Sequence, residues 1–354
     1  MILEPSKRQS NLISIDKFRL APGTILDVRS PAEFAQGHIP GAQNLPLFSN
    51  EERAQIGICY KEKGQEAAIQ LGHKFVDPRR VEMIRKAGQL AGEGSIRLHC
   101  WRGGLRSKGV GRLLEDAGFD VRLLEGGYKS YRRWARDVVG APRRISILTG
   151  LTGTGKTRIL KSMREQGIQT LDLEGLANHR GSSFGGLGMP PQPTTQYFEN
   201  LIAERLVEMD PDLPVWIEAE SSRIGTCCLP EELFSQMRSA PAIAIARPIN
   251  ERLDILTEMY GEADGSKLIE ATKRISQRLG GQRTKSAIDL ISENDLRGAC
   301  RLILDYYDRT YTVHRKRRGV SVPEIDVGGL SATDAAAFLL EKAPSLVSSF
   351  SQSA

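Results

Sequence analysis

Twice along its length the chain alternates short apolar runs with helix-like stretches, and such alternation leads to parallel sheets flanked by helices. In the first block Ile25-Leu26-Asp27-Val28, Ile96-Arg97-Leu98-His99 and Val121-Arg122-Leu123-Leu124 read as strands. Pro31 to Gln36 reads as a short helix opened by Ser30, an N-cap followed by proline at the first helical position, and Ser107 to Ala117 as another. In the second block Ile145-Ser146-Ile147-Leu148, Leu171-Asp172-Leu173, Val215-Trp216-Ile217 and Ala242-Ile243-Ala244-Ile245 are strand candidates beside helical stretches. Gly140-Ala141-Pro142 breaks the pattern between the blocks. The expected architecture is an α/β domain over 10–138 and a doubly wound α/β domain over 139–330, mostly helical from about 250 to 318. A C-terminal tail is expected over 331–354, ending in serine-rich, frayed sequence.

A length of 354 residues suits two domains, each able to bury its own core. With 40% hydrophobic and 26% charged residues, the composition excludes disordered and fibrous classes. No run approaches the ~18 consecutive apolar residues that cross a bilayer, and Met1 to Ser10 lacks the apolar core of a signal peptide. The expectation is a cytoplasmic protein without a membrane partner. Cys59, Cys100, Cys227, Cys228 and Cys300 are an odd set without a CxxC pair, which argues against a disulfide framework and a structural zinc site. The formal net charge of +6 permits nucleic acid as a partner without requiring it, so the position of the charge matters more than its sum.

Two loops carry chemistry. His99-Cys100-Trp101-Arg102-Gly103-Gly104-Leu105-Arg106-Ser107 lies between a strand and a helix. A cysteine there sits below a helix start, among backbone N–H donors and two arginines that stabilise a thiolate and cradle an anion. The alternative reading is a buried structural cysteine beside a tight turn. The second loop, Gly150-Leu151-Thr152-Gly153-Thr154-Gly155-Lys156-Thr157, satisfies GxxxxGK[ST] in the strand-to-helix context that the pattern needs. Its amides cradle phosphate, Lys156 neutralises the terminal phosphate and Thr157 can ligate Mg²⁺. Glu218 and Glu220, after the strand at 215–217, are candidates for a second Mg²⁺ contact or for the pocket wall. The metal itself is left open, and a nucleotide or a pyrophosphate ester would fit the same loop.

The first block resembles the rhodanese family at three separated places. Leu26-Asp27-Val28-Arg29-Ser30-Pro31-Ala32-Glu33-Phe34 with Gly37-His38-Ile39-Pro40-Gly41-Ala42 is similar to its N-terminal signature, and Leu124-Glu125-Gly126-Gly127-Tyr128 to its C-terminal one. Asp27 and His38 read as structural in that signature. The Cys100 loop holds five residues between Cys100 and Arg106, so it also fits the HCx5R[S/T] pattern of cysteine-dependent phosphatases.

A rhodanese-like α/β domain followed by a P-loop NTPase-like doubly wound α/β domain with a helical C-terminal part resembles the bacterial tRNA 2-selenouridine synthases. Ala177-Asn178-His179-Arg180-Gly181-Ser182-Ser183-Phe184-Gly185 and Trp216-Ile217-Glu218-Ala219-Glu220-Ser221 extend the resemblance over roughly residues 10 to 330. It implies a selenotransferase with geranyl transferase activity. A wobble 2-thiouridine of tRNA is geranylated from geranyl pyrophosphate, and the geranylated sulfur is replaced by selenium from selenophosphate through a Cys100 perselenide. The assignments that follow are selenophosphate binding by Arg102, Gly103, Gly104 and Arg106, and pyrophosphate binding by Gly150, Thr152, Gly153, Thr154, Gly155, Lys156 and Thr157. No tightly bound cofactor is expected; selenophosphate and geranyl pyrophosphate are co-substrates, and tRNA and a selenophosphate supplier are partners.

Phosphate contacts supply most nucleic-acid affinity, and aromatic stacking holds splayed bases. Lys129, Arg132, Arg133, Trp134 and Arg136 near the domain boundary, and Arg315, Lys316, Arg317 and Arg318 after Tyr306-Tyr307, are the tRNA-contact candidates. A solvated basic helix face is the alternative for both. His179 to Ser183 reads as a polar loop after a strand, Cys227-Cys228 as packed thiols, and Cys59 as a thiol that could resolve a modified Cys100. Two other functions compete: a rhodanese-fold cysteine phosphatase fused to a P-loop kinase-like domain, and a non-catalytic tRNA-binding or redox-sensing module.

Overall fold

In the computed structural model the described residues are 11–92, 94–317 and 322–348; the side chains of 310–317 and 343–348 lie outside that description. The chain divides into two compact units between Val138 and Val139.

The first unit runs β1 (Leu12–Ile13), α1 (Ile15–Leu20), β2 (Thr24–Asp27), α2 (Pro31–Gln36), β3 (Gln43–Asn44), α3 (Asn50–Val76), α4 (Arg80–Ala91), β4 (Ile96–His99), α5 (Leu105–Asp116), β5 (Val121–Leu124) and α6 (Gly127–Gly140). Its five strands are parallel in the order β1-β5-β4-β2-β3. Leu26, Val28, Ile96, Leu98, Val110, Leu114 and Val121 form the core between sheet and helices. Since β2 has β3 on one side and β4 on the other, the connections diverge there, and the crevice at the carboxyl ends of β2 and β4 is where such a sheet places a site. The long α3 carries no strand or helix expectation from the sequence reading. Its start is built from a capping box, Ser49 with Glu52, and Gly64 at φ +83° kinks it midway.

The second unit has the strands β6 (Ile145–Gly150), β7 (Thr170–Leu171), β8 (Val215–Glu218), β9 (Arg223–Ile224), β10 (Cys227–Cys228), β11 (Ala242–Ala246) and β12 (Glu324–Asp326). Its helices are α7 (Lys156–Glu165), α8 (Leu173–Leu176), α9 (Thr195–Val207), α10 (Glu231–Ser239), α11 (Ile249–Tyr260), α12 (Gly265–Arg274), α13 (Ser276–Leu279), α14 (Gly281–Ser292), α15 (Leu296–Arg317) and α16 (Ala332–Ser348). The main sheet is parallel in the order β12-β11-β6-β8-β7, so β6 lies between β8 and β11 at the point where connections diverge. Leu253, Leu256 and Tyr260 of α11 pack with Leu268, Ala287, Ala299 and Leu304 into a separate helical core.

The expected C-terminal tail begins as a helix, α16, over 332–348, and the serine-rich end at 349–354 lies outside the described residues. Ser331 caps α16, its hydroxyl accepting the Asp334 N–H at 3.1 Å. Ala335, Ala336 and Leu339 are fully buried in one cluster with Leu148, Ile159 and Trp216. The alanine run favours helix and its i, i+4 stripe closes one face of the sheet; the serines beyond Pro344 had masked that signal. Leu339→Ala should therefore destabilise the chain by about 2–5 kcal/mol in urea denaturation. An unchanged midpoint would remove α16 from the core.

Candidate functional site

Cys100 follows β4 directly and is 2% exposed. Its Sγ lies 3.2 Å from the Ser107 hydroxyl in the first turn of α5, and Ser107 also bonds the Gly104 carbonyl at 3.3 Å. Gly104 is the N-cap of α5 and supplies no side-chain cap, so the first-turn N–H groups remain available for an anion. The turn before α6 braces the loop from behind: Tyr128 N–H donates to the Cys100 carbonyl at 2.8 Å and Lys129 N–H to that of Trp101 at 2.9 Å. Gly103 (φ +63°) and Gly127 (φ +60°) are in backbone contact, and a Cβ on Gly127 would overlap the Cys100 carbonyl. Only glycine fits both positions.

Two ion pairs anchor this crevice. Arg106 is held by Glu33 at 2.8 Å, and Glu33 also closes the capping box of α2 with Ser30. Burial pushes the Glu33 carboxyl up, but the bond and charge of Arg106 prevail and hold it below its ordinary value. Arg106 thus forms a rim pair with Glu33, whereas Arg102 is exposed. Beneath lies the fully buried pair Asp27 and Arg29, joined through Nε at 2.9 Å, with the guanidinium 3.8 Å from the centre of the Tyr128 ring. Burial raises the Asp27 carboxyl, but His99, 3.8 Å away, and Arg29 together hold it below the usual value. Burial also lowers His99 and His38, and His38 bonds the Phe34 carbonyl and stacks on its ring.

In the second unit β6 ends at Gly150, where a Cβ would sit 2.6 Å from the Ile245 carbonyl. Gly153 and Gly155 take φ +82° and +89°, and α7 starts at Gly155 without a side-chain cap. Lys156 Nζ donates to the Gly150 carbonyl at 2.9 Å, and the Thr154 hydroxyl to Leu151 at 2.8 Å. Two arginines that the motif does not announce hold the loop from outside. Arg252 donates to the Thr152 carbonyl at 2.8 Å while paired with Asp308, and Arg247 donates to that of Thr154 at 3.2 Å.

Thr157 donates to Glu174 at 3.1 Å, and the Glu174 N–H donates to Glu218 at 2.9 Å. Glu218 is 1% exposed; one of its carboxylate oxygens accepts the Glu174 N–H at the start of α8 and the other is buried without a hydrogen-bond partner. Glu174, absent from the sequence reading, stands beside Thr157, and Glu220 is hydrogen-bonded to Glu174. Burial, then the Glu174 charge, pushes Glu220 up to about 8. Burial likewise raises Glu174 against the pull of Lys156, and burial and Asp172 raise Glu218. Among the described residues no group of three or more His, Cys, Asp or Glu is arranged to hold a metal ion. The Thr157 hydroxyl with Glu174 and Glu220 suits a hard cation only if a phosphate ligand supplies further oxygens.

These groups open onto a cleft of about 710 Å³. Lys156, Thr157, Glu174, Arg180 and Glu220 line it with polar groups, and Phe234, Met237, Leu256, Met259 and Tyr260 with apolar ones, the Arg180 guanidinium lying 5.8 Å from the Tyr260 ring centre. The segment His179 to Ser183 follows α8 rather than a strand. Phe184 anchors it in the helical core, and Arg180 bonds the Leu187 carbonyl at 2.8 Å.

Of the tRNA-contact candidates, Lys129, Arg133 and Arg136 are exposed on α6 and Trp134 is half-buried under the Arg19 guanidinium. Arg132 departs from expectation: it is buried on the stripe of Tyr128, Tyr131 and Ala135 and presents no surface charge. The side chains of Arg315, Lys316 and Arg317, and all of Arg318, lie outside the described residues. Cys59 is half-buried on α3; Cys227 donates to the Pro193 carbonyl and packs structurally.

A parallel sheet ending in a cysteine loop braced by Gly126-Gly127, followed by a parallel sheet ending in GxxxxGK[ST], defines a rhodanese-like domain joined to a P-loop domain. A profile described as rhodanese-like domain matches residues 14–133, and one described as tRNA 2-selenouridine synthase AAA domain matches residues 143–328. The tRNA 2-selenouridine synthase of Marinobacter nauticus is 38% identical, covering 81% of this chain and 87% of the relative. That of Hydrogenovibrio crunogenus is 36% identical (83% and 90%), and that of Alcanivorax borkumensis 37% (84% and 91%). The chain belongs to the tRNA 2-selenouridine synthase family. Among the described residues no helix is long and apolar enough to cross a membrane.

Asp27→Asn strands a buried guanidinium and should cost about 3–5 kcal/mol by chemical denaturation. Because the folded carboxyl lies below its unfolded value of about 3.8, the pair's contribution is present above that pH and fades as pH falls through the folded value. The wild-type chain should lose that increment on acidification and the variant should not. Glu220 has the opposite sign. With a folded value of about 8 against 4.5 unfolded, the native chain binds the extra proton, so stability falls as pH rises between the two. Glu220→Gln should flatten the stability profile over that window; an unchanged slope would show Glu220 ionised throughout.

Proposed function

We propose that this chain is an enzyme that exchanges sulfur for selenium on the wobble 2-thiouridine of tRNA, in two steps served by two anion cradles. The observation that carries this reading is the phosphate loop of the second unit, which opens onto a cleft lined in part by apolar side chains. That combination suits a prenyl pyrophosphate better than a nucleotide alone. In the first step the thiouridine sulfur attacks the allylic carbon of geranyl pyrophosphate. The C–S bond forms, the C–O bond breaks, pyrophosphate leaves with the electron pair, and the ring N–H proton passes to solvent. The Gly150 to Thr157 amides and Lys156 stabilise the charge that develops on the leaving group. Mg²⁺, if bound, adds charge neutralisation there, held by Thr157 and Glu174.

Alkylation turns a poor leaving group into a departing thiol. Cys100, held as a mixed disulfide with a cellular thiol, then takes the selenide that water frees from selenophosphate at the start of α5: phosphate leaves, the S–Se bond of a perselenide forms and the S–S bond breaks, releasing the thiol. Arg102, Gly103, Gly104 and the rim pair of Arg106 with Glu33 surround that phosphate group. The perselenide attacks the base carbon, geranyl thiolate departs, and a cellular thiol cleaves the S–Se bond. Lys129, Arg133 and Arg136 on the exposed face of α6 contact tRNA phosphates.

Mass spectrometry of a thiolated anticodon RNA separates the steps. Cys100→Ala should abolish selenium incorporation while S-geranyl product accumulates. Lys156→Ala should slow geranylation by about a hundredfold or more. Normal selenation in the cysteine variant, or undiminished geranylation in the lysine variant, would overturn the corresponding half.

A further inference from the structure

The second unit carries another pocket at the end of its sheet away from the phosphate loop. It measures about 460 Å³ and is lined by Arg143, Arg144, Ser146 and Ser239 between the prolines that precede β8 and β11, with no Asp or Glu among its lining residues. Because β6, β8 and β11 are parallel neighbours, their amino ends share one edge, and the pocket lies there. The steps of β6 from Ile145 to Gly150, at about 3.3 Å each, put it roughly 17 Å from the start of the phosphate loop. The backbone beneath is fixed: Gln236 on α10 accepts the Arg143 N–H at 3.0 Å and donates to the Ala141 carbonyl at 3.3 Å. Arg144 is tethered through Nη1 to the Asp212 carbonyl at 3.0 Å.

Arg143 differs from arginines of comparable burial. Arg106, Arg247 and Arg252 each meet a carboxylate, of Glu33, Glu251 and Asp308 respectively. Arg143 is half-buried and meets none among the described residues. Its Nε and Nη1 are out of solvent without a hydrogen-bond partner, which leaves Nη2 as the accessible donor. Burial, with no neighbouring charge to offset it, lowers this guanidinium from its ordinary value. A cation kept half-buried and unneutralised costs stability that an anion in the pocket would restore.

We propose that this pocket binds a backbone phosphate of the tRNA, away from the nucleotide on which the enzyme acts, an inference that rests on the reading of tRNA as substrate. A phosphodiester brings one negative charge and two acceptor oxygens to the Arg143 guanidinium, with the Ser146 and Ser239 hydroxyls alongside. Since Arg144 has already committed Nη1 to Asp212, the donors at hand suit the singly charged diester of a polymer better than a free dianion, which needs more of them. In a concave, partly desolvated setting the contact is screened less than one made by the exposed arginines of α6. Its distance from the phosphate loop makes it a contact that sets register and affinity, with no part in the chemistry.

The test measures binding of the full chain to thiolated tRNA across a salt series, beside a titration with inorganic phosphate. Arg143→Gln should weaken tRNA binding by about tenfold at low salt and make the fall of log affinity with log salt less steep by about one. Ser239→Asp, at an exposed position ending α10, puts a carboxylate in the pocket and should weaken binding in the same way, so the site is testable even where the arginine variant does not fold. Wild-type affinity and slope in either folded variant would overturn the site. So would phosphate binding that Arg143→Gln abolishes while tRNA binding is unchanged, which would assign the pocket to a free anion. If the wild-type chain binds no tRNA, the substrate reading falls with it; if it binds tRNA and the variants match it, only the pocket falls.

Discussion

Both sites depend on the same constraint: a parallel strand must pass into a helix through backbone so crowded that no Cβ fits, leaving the first helical N–H groups without side-chain caps. In the first unit Gly103 and Gly127 meet backbone to backbone, and the α6 turn spends its own donors on the Cys100 and Trp101 carbonyls. In the second, Gly150 and Gly153 press against the carbonyls of Ile245 and Arg252. The helices α2, α3 and α9 begin differently and satisfy an N–H with Ser30, Ser49 or Thr194. At α5 and α7 the cap is a glycine, and the donors it leaves are what an anion would use.

The surroundings of each loop absorb the electrostatic cost. Under the cysteine loop a buried carboxylate stays ionised because Arg29 reaches it with several bonds and His99 lies alongside. Under the phosphate loop the balance runs the other way. Glu174, Glu218 and Glu220 crowd together in a buried space and favour their protonated forms. One site is thus held by a satisfied ion pair, while the other gathers carboxyls whose mutual repulsion protonation or a bound cation relieves.

Strand ends and the loops between strand and helix were readable because their signals are local. Ile96–His99 and Val121–Leu124 stand where apolar alternation placed them, and Pro31–Gln36 is opened by Ser30. The contacts that complete the sites were not readable. Glu33 and Arg106 are 73 residues apart, Arg252 and Asp308 56, and Thr157 and Glu174 17. Nothing in residue spacing marks such partners, since they meet only once helices and parallel strands pack in three dimensions. Arg132 shows the converse. In sequence it is one more arginine of a basic run; on α6 it falls on the tyrosine stripe and is buried.

By itself the sequence determined two α/β units, the cysteine at a helix start, the glycine-rich phosphate loop and the family that their combination marks, because each rests on short-range backbone geometry. Only the tertiary structure decided which carboxylate stands beside Thr157, that Arg106 is tied to Glu33, that α16 closes the second core, and that apolar side chains line the cleft at the phosphate loop. Those follow from packing between distant segments, where burial and close approach rather than local preference set the partners.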